Sequence, residues 1–599
     1  MRLNRLTKLC AAGAATVLAL GACTAEQRTA EETPGSAPTP GGVIAVAEAG
    51  VVDSFNPQST AGNTDINRKL AYATHSGFNY IDNNLDIVPL EDFGSYERVS
   101  EDPLTVKYTV NEGVAWSDGA PVGADDMMLA WAAASGRFDD ELTTVDGAVL
   151  SGTRYFDYAG STEALSLTDV PEIGDDNRSI TLTYSQPYAD WELAFGSLTD
   201  SGGIGVPAHI VAKGAGLGDE KALTELIRET PAGNPLDPAP VDPELRAAAD
   251  YWNTAFSART LPEDPALYLS NGPFIVEDIN PGESLTLARN EDYRWGPAPS
   301  LDEITIRFLA DPAEQVAALQ DGSVDIIAPQ PDSRTLPDLE ALGNVDLHQG
   351  NQLAYDHLDL NFSGVFADRS VREAFLKTVP RQEIVEATVQ QLQPGARPLD
   401  SEVFLTDQAA YEQAAAANGS REFAEADLER ARQLLDGDTP AVRILYDRDN
   451  AYRAEAFRLI RQAASEAGFE VVDGGLPAGE WAGRLGSGTY DAAIFGWTAT
   501  GVGVAGVPQV FRTGAASNYS GFSSPEADGL MAELATETDT QRRDELQIEI
   551  DRLIWDARYG LPLFQLPGLQ ASADTIEHVE YMPNATGLWW NFWEWNILR

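Results

Sequence analysis

At 599 residues, with 43% apolar residues and 12 Trp, the chain is too long for one hydrophobic core and too apolar to be disordered, so it predicts two to four packed domains. Its 93 acidic against 40 basic residues give a formal net charge of −53, which argues against phosphate-directed binding of DNA or RNA and against charge-driven adhesion to an anionic membrane. The acidity suits either a solubility device or an acidic cleft that steers cationic ligands, and charge alone does not choose between them.

Arg2, Arg5 and Lys8 make a positive start, and Leu9–Ala22 is uncharged. That stretch is shorter than the roughly 20 residues a spanning helix needs, and it predicts a signal peptide over residues 1–22. It ends in Leu20-Gly21-Ala22-Cys23, which resembles the bacterial lipobox. The resemblance implies cleavage before Cys23 and lipid on its thiol and new amine, rather than an ordinary leader with an incidental Cys. Residues 23–42, rich in Pro, Gly, Ser, Thr and Glu, then read as the lipidated residue and a flexible tether. The other cysteine is Cys10, so the folded body has no disulfide framework or thiolate metal site. His75, His209, His348, His357 and His578 are scattered, without metal-ligand spacing, and read as structural.

Gly42–Ala47 predicts a first strand, followed by the turn Ser54-Phe55-Asn56-Pro57 and a polar loop, Gln58 to Asp65. Asn67 to Tyr80 reads as a helix running into a strand. The most informative stretch is Leu104 to Trp131. Leu104, Val106, Tyr108 and Val110 alternate with polar residues as a half-buried strand does. Asn111-Glu112-Gly113 and Ser117-Asp118-Gly119-Ala120-Pro121 break it. Ala124-Asp125-Asp126 opens a helix with acids where the dipole favours them, and Met127, Met128, Ala130 and Trp131 form its apolar side.

Later segments keep this mixed pattern. Ala222–Phe256 is helical and Pro-interrupted. Ser284 to Trp295 and the alternating Leu301–Phe308 precede a helix that closes at Gly322, a strand–helix–strand unit. Val442–Tyr446, Tyr452–Ala467 and Phe469–Val472 make a β-α-β unit, with Ala456, Leu459, Ile460 and Ala463 as a core stripe. Tyr490–Trp497 is a buried-type strand. Gly501–Gly506 satisfies G-x-G-x-x-G, but Pro508 stands where a helix should already be established, so a dinucleotide site is rejected in favour of a close-approach loop. The indole-rich end, Leu588–Trp595, reads as a packed final strand rather than a ligand platform.

Taken in order, four stretches resemble the family 5 extracellular solute-binding proteins of ABC importers, the oligopeptide, dipeptide and nickel-binding group. They are Leu104–Trp131 with its Trp-Ser-Asp-Gly turn, Asn271-Gly272-Pro273-Phe274 through Ile327, Leu358–Phe375 with its Val-Arg-Glu-Ala step, and Tyr490–Trp497. The resemblance implies an α/β fold of the periplasmic-binding-protein type II kind, two lobes (three subdomains) around a cleft and joined by hinge segments. Residues 43–87, 186–300 and 559–599 would build domain I, residues 88–185 domain II and residues 301–558 domain III.

It also implies capture without catalysis, no cofactor and no metal, a lipid anchor as the only membrane attachment, and an importer permease and ATPase as partners of a monomer. That places the chain on the outer face of the bacterial cytoplasmic membrane, away from nucleic acid. Peptide is the first choice of solute. Thr60, Asn63, Gly496, Trp497 and Thr500 are the candidate ligand contacts. Thr500 stands where the family's peptide binders carry an Asp for the ligand's α-ammonium, which puts a free peptide N-terminus at that spot in question. An oligosaccharide or another non-peptide solute is the runner-up, since 12 Trp could stack sugars. Nickel lacks a ligand cluster. A surface hydrolase is the rival class, without a G-x-S-x-G elbow, phosphate loop or zinc spacing to support it. A degenerate sensor or adhesin remains open.

Overall fold

The computed structural model describes residues 41–143, 149–196, 202–330, 334–499, 501–515 and 517–598. The leader, Cys23, the tether up to residue 40 and Thr500 lie outside the described residues.

One ten-stranded sheet runs through the molecule in the order 274–280, 284–289, 303–308, 43–48, 326–327, 560–573, 345–360, 492–498, 441–447, 470–476. The first strand, Val43–Glu48, lies parallel to both Glu303–Phe308 and Ile326–Ile327. At the other end Ala441–Asp447 lies parallel to Glu470–Leu476 and to Ala492–Thr498. Two long antiparallel strands, Val345–Leu360 and Gly560–Ala573, join these halves. Their pairing has two stretches, residues 345–351 on 567–573 and 355–359 on 560–565, with a register shift between Asn351 and Tyr355. At the shift the backbone is held by side chains: Gln352 Nε2 donates to the Pro567 carbonyl at 3.1 Å, and Gln565 Nε2 donates to the Gln352 carbonyl at 2.9 Å.

The stretch from Leu104 folds as its alternation predicts. Leu104, Val106, Tyr108 and Val110 are buried and the residues between them half-exposed, in a four-stranded sheet of 94–101, 104–110, 179–183 and 172–173. The helix Ala124–Ala134 differs from the expected one-sided helix, because all of its residues are buried. The reason is that its acids are tied down. Asp126 accepts from the Gly123 N–H at 2.9 Å and from the Ala208 N–H at 2.8 Å, while Asp125 accepts from Thr224 Oγ1 at 2.6 Å and Asn177 Nδ2 at 2.6 Å. Burial outweighs those bonds at Asp126 and raises its carboxyl to about 6.

This small sheet shares one continuous hydrophobic core with the 43–48 end of the large sheet, including Trp116, Trp131, Trp252, Trp589 and Trp595. The 441–498 end has its own core around Leu358, Phe375, Ile444, Ile460 and Ile494. The molecule is therefore two lobes. The indole-rich C-terminus is packed as expected but is not a strand over its length. Gly587–Asn591 forms a 3₁₀ turn and only Asn596–Ile597 pairs as a strand. A strand alternates its faces, whereas Trp589, Trp590, Phe592 and Trp595 are all buried, and the tight turn sends Trp589, Phe592 and Trp595 into the main core and Trp590 against Ile81 and Met582. Trp589 Nε1 donates to Glu48 Oε1 at 2.7 Å, which satisfies both buried groups.

Candidate functional site

Between the lobes lies a cavity of about 620 Å³. One wall comes from the core-sharing lobe, through Ala130 and Ala134 of the buried helix, the segment from Tyr158 to Leu165, and Tyr188 to Ala194. The other comes from the segment after the strand Ala492–Thr498, through Val502, Ala505, Gly506, Gln509, Arg512 and Ala515. A volume in this range suits a small-molecule or short-chain ligand.

Local folding sets each wall. The turn after the first strand is fastened by Asn56 Nδ2, which donates to the Trp252 carbonyl at 2.9 Å. Gln58 follows, with Nε2 donating to the Gly203 carbonyl at 3.1 Å and its own carbonyl accepting from the Ala159 N–H at 2.8 Å. Gln58 thus holds two parts of one wall together. On the facing wall Gly501 and Gly503 take φ of +87° and +80°, the left-handed region that glycine enters at no steric cost. That conformation turns the N–H groups of Val504 and Ala505 outward.

Asp190 of the opposite lobe fills this turn. Its carboxylate accepts from the Val504 N–H at 2.9 Å and the Ala505 N–H at 3.1 Å, with Arg543 Nη1 at 3.8 Å. A Cβ on Gly503 would stand 2.8 Å from Asp190 Oδ2, so the approach requires glycine. Beside it the Ala189 N–H donates to the Ala535 carbonyl at 2.9 Å. Burial raises the Asp190 carboxyl above its usual range, opposed by the two N–H groups and Arg543. Burial, then the nearby charges of Asp190 and Glu163, pushes the Tyr188 hydroxyl up as well. Nearer solvent, Glu163 Oε1 and Arg512 Nη1 face each other across the lobes at 3.9 Å.

The residues expected from the sequence are dispersed around this cavity. Thr60 is exposed, its Oγ1 donating to the Asp157 carbonyl at 3.1 Å, next to the Tyr158 that lines the wall. Asn63 is exposed on the same loop. Gly496 pairs with Asp356 inside the large sheet, where a Cβ would meet Asp356 Oδ1 at 2.6 Å. Trp497 stacks on Tyr519 with ring centres 6.0 Å apart and on His357 at 6.2 Å, within its own lobe. Behind it His357 Nδ1 meets Asp359 Oδ1 at 2.6 Å, and Tyr559 donates to Asp359 Oδ2 at 2.9 Å. Among the described residues no three His, Cys, Asp or Glu side chains are grouped to hold a metal ion. Sequence reasoning missed Tyr188, Asp190, Glu163 and Arg512, which belong to no motif. The one available signal was the glycine-rich loop read as a close-approach segment.

Residues 93–519 match the family model described as bacterial extracellular solute-binding proteins, family 5 Middle. The chain belongs to this family. An uncharacterized lipoprotein of Mycobacterium leprae is 26% identical over 93% of the chain and 94% of its own length. An oligopeptide-binding protein OppA of Mycobacterium bovis is 25% identical over 83% of the chain and 74% of its own length. Among solved structures, the periplasmic EDTA-binding protein EppA superposes with a TM-score of 0.76, at 22% identity over 94% of the chain and 98% of its own. The two-lobed α/β fold of family 5 solute-binding proteins is thereby the fold of this chain, as the sequence motifs implied.

Proposed function

We propose that this family 5 protein captures short peptides outside the cell and delivers them to an importer's permease and ATPase. The observation that carries the reading is the cavity enclosed between two lobes joined through two long strands. A relative named for oligopeptides supports peptide over other solutes, while a structural neighbour named for EDTA keeps a non-peptide solute as the second reading. In this account the lobes are the unit around residues 43–327 and the unit of residues 355–565. These depart from the domain bounds 301–558 and 559–599 because Glu303–Phe308 pairs with Val43–Glu48 and residues 560–565 pair with 355–359. The hinge lies at Asn351–Ala354 and Gln565–Pro567, where the register shifts. Ligand bridges the walls, stabilises closure, and the closed form docks on the permease.

Thr60 then stands at the rim, and Thr500 is kept as a candidate ligand contact. Gly496 and Trp497 act by shaping the lobe of residues 355–565. The remaining elements of the proposal are lipid on Cys23, a monomeric receptor, and a place on the outer face of the cytoplasmic membrane. Among the described residues no helix is long and apolar enough to cross a membrane.

Native mass spectrometry of the chain from residue 24 onward, purified gently and then denatured, tests the reading. Released masses that fragment as peptides support it. Hexose losses or a chelate move the assignment to another solute. A Cys23→Ala variant should leave the membrane fraction, and one that stays there would overturn the anchor.

A further inference from the structure

The two long strands that join the lobes break register between Asn351 and Tyr355, and a third segment lies across that break. Residues 399–407 form neither helix nor strand, yet Leu399, Ser401, Glu402, Phe404 and Leu405 are buried. Connecting segments run over the surface unless other groups hold them in.

The root of this segment is fixed to the lobe of residues 355–565. Ser401 Oγ donates to Asp551 Oδ2 at 3.0 Å, and the Glu402 N–H donates to Asp551 Oδ1 at 2.9 Å. The buried Arg381 guanidinium donates to the Leu399 carbonyl at 2.8 Å. Leu399, Phe404 and Leu405 then share a small core with Leu353 and Tyr355 of the joining strand.

The tip, Thr406 and Asp407, is exposed. Gln565 Oε1 accepts from the Thr406 N–H at 3.1 Å and from Thr406 Oγ1 at 2.5 Å, while Gln565 Nε2 donates to Asp407 Oδ2 at 3.0 Å. Asn351 Nδ2 donates to Thr406 Oγ1 at 2.9 Å and to Asp407 Oδ2 at 3.1 Å. Gln565 pairs with Tyr355 on one side of the break, and Asn351 pairs with Pro567 on the other. The tip therefore ties the two sides together. A turn of the lobes about the break changes the backbone angles between Asn351 and Tyr355 and carries Asn351 away from Asp407.

We infer that residues 399–407 are a strap across the hinge, and that Asp407 is the residue through which the strap favours the closed arrangement. The inference rests on placing the hinge at this break. A carboxylate suits the task, because it accepts from both amides at once through charge-assisted bonds. Its exposure lets water replace those bonds when the hinge turns, so the tie sets a ratio of closed to open rather than a lock.

The test is single-molecule energy transfer on the chain from residue 24 onward. Both cysteines, Cys10 and Cys23, precede that start, so dyes on Val99→Cys and Glu429→Cys, exposed positions on the two lobes, report the lobe separation alone. Asp407→Ala should lower the ratio of closed to open molecules by about tenfold and speed their exchange, the loss of hydrogen bonds to a charged group. Asn351→Ala should shift the ratio the same way, and the two together should add little, because both act on one tie. Asp407→Asn keeps an acceptor and should recover part of the ratio. The tip is exposed, so these variants should melt with the parent, and circular dichroism checks this.

Two states in the parent whose ratio Asp407→Ala leaves unchanged overturn the strap while the hinge stands. A ratio that moves only in variants whose melting temperature falls assigns Asp407 to folding and also overturns the strap. One fixed separation, the same in the parent, in every tip variant and in Asp190→Ala, overturns the strap and the hinge together.

Discussion

Among the contacts that cross between the lobes, two are built differently. Asp190 is 9% exposed, accepts two backbone N–H bonds and sits in a loop whose glycines let it come close. Glu163 and Arg512 are largely solvated and too far apart for a hydrogen bond. Water competes poorly at the first and freely at the second, so the first should set how firmly the lobes close and the second what they close on. A receptor needs both. Closure that depended wholly on the ligand would hold it weakly, and closure that ignored the ligand would not report its presence.

The largest expected effect comes from Asp190→Ala. Two N–H donors lose their acceptor, at about 1–3 kcal/mol for buried groups so stranded. The variant should populate the open form, seen as a larger radius of gyration in small-angle scattering and a faster ligand off-rate. Unchanged scattering would remove Asp190 from the closing mechanism. Next is Gly503→Ala. Its φ of +80° costs an L-residue about 1–2 kcal/mol, and the new Cβ would press on Asp190 Oδ2. It should loosen closure in the same direction and by less. An Asp190→Ala background should mute it, because the two act on one contact.

How far these features were legible follows from what each depends on. Alternation at Leu104–Val110, the strand before Trp497 and the Gly322 helix end depend on neighbours in sequence, and all are in the structure as read. The C-terminal indoles were legible as core but not as a turn, since burial on one side and burial all round look alike in an aromatic run. Asp190 was illegible. Among 93 acidic residues nothing nearby in sequence marks it, and its partners lie 314 and 315 positions away. Trp497 shows the same limit at a strand end, since the rings beside it, His357 and Tyr519, come from distant parts of the sequence.

Acidity should separate the two contacts further. Burial holds the Asp190 carboxyl above its usual range in the closed form, so the closed lobes bind that proton more tightly than open, solvated ones. Closure therefore gains as pH falls toward the raised value. It loses that gain as pH rises through the window between the usual carboxylate range and the raised one. Scattering from pH 7 down to pH 4.5 should show a shift toward the compact form that Asp190→Asn abolishes. A compact fraction that falls on acidification, in parent and variant alike, would assign the response to other carboxylates.

The smallest effect belongs to the exposed pair in the absence of ligand. Glu163→Gln and Arg512→Gln should each change closure by less than about 1 kcal/mol, the range for solvated ion pairs, and 0.5 M salt should erase what difference there is. The same salt should leave the Asp190 contact nearly intact, because its short bonds are made to buried backbone. Titrating salt against compactness in the parent, Asp190→Ala and Arg512→Gln thus tests the contrast directly. If salt opens the parent as far as Asp190→Ala does, the exposed charges carry closure and the division of labour between the two contacts is wrong. If salt leaves compactness unchanged but weakens a charged ligand, holding and reading are the work of separate residues on the two walls of one cavity.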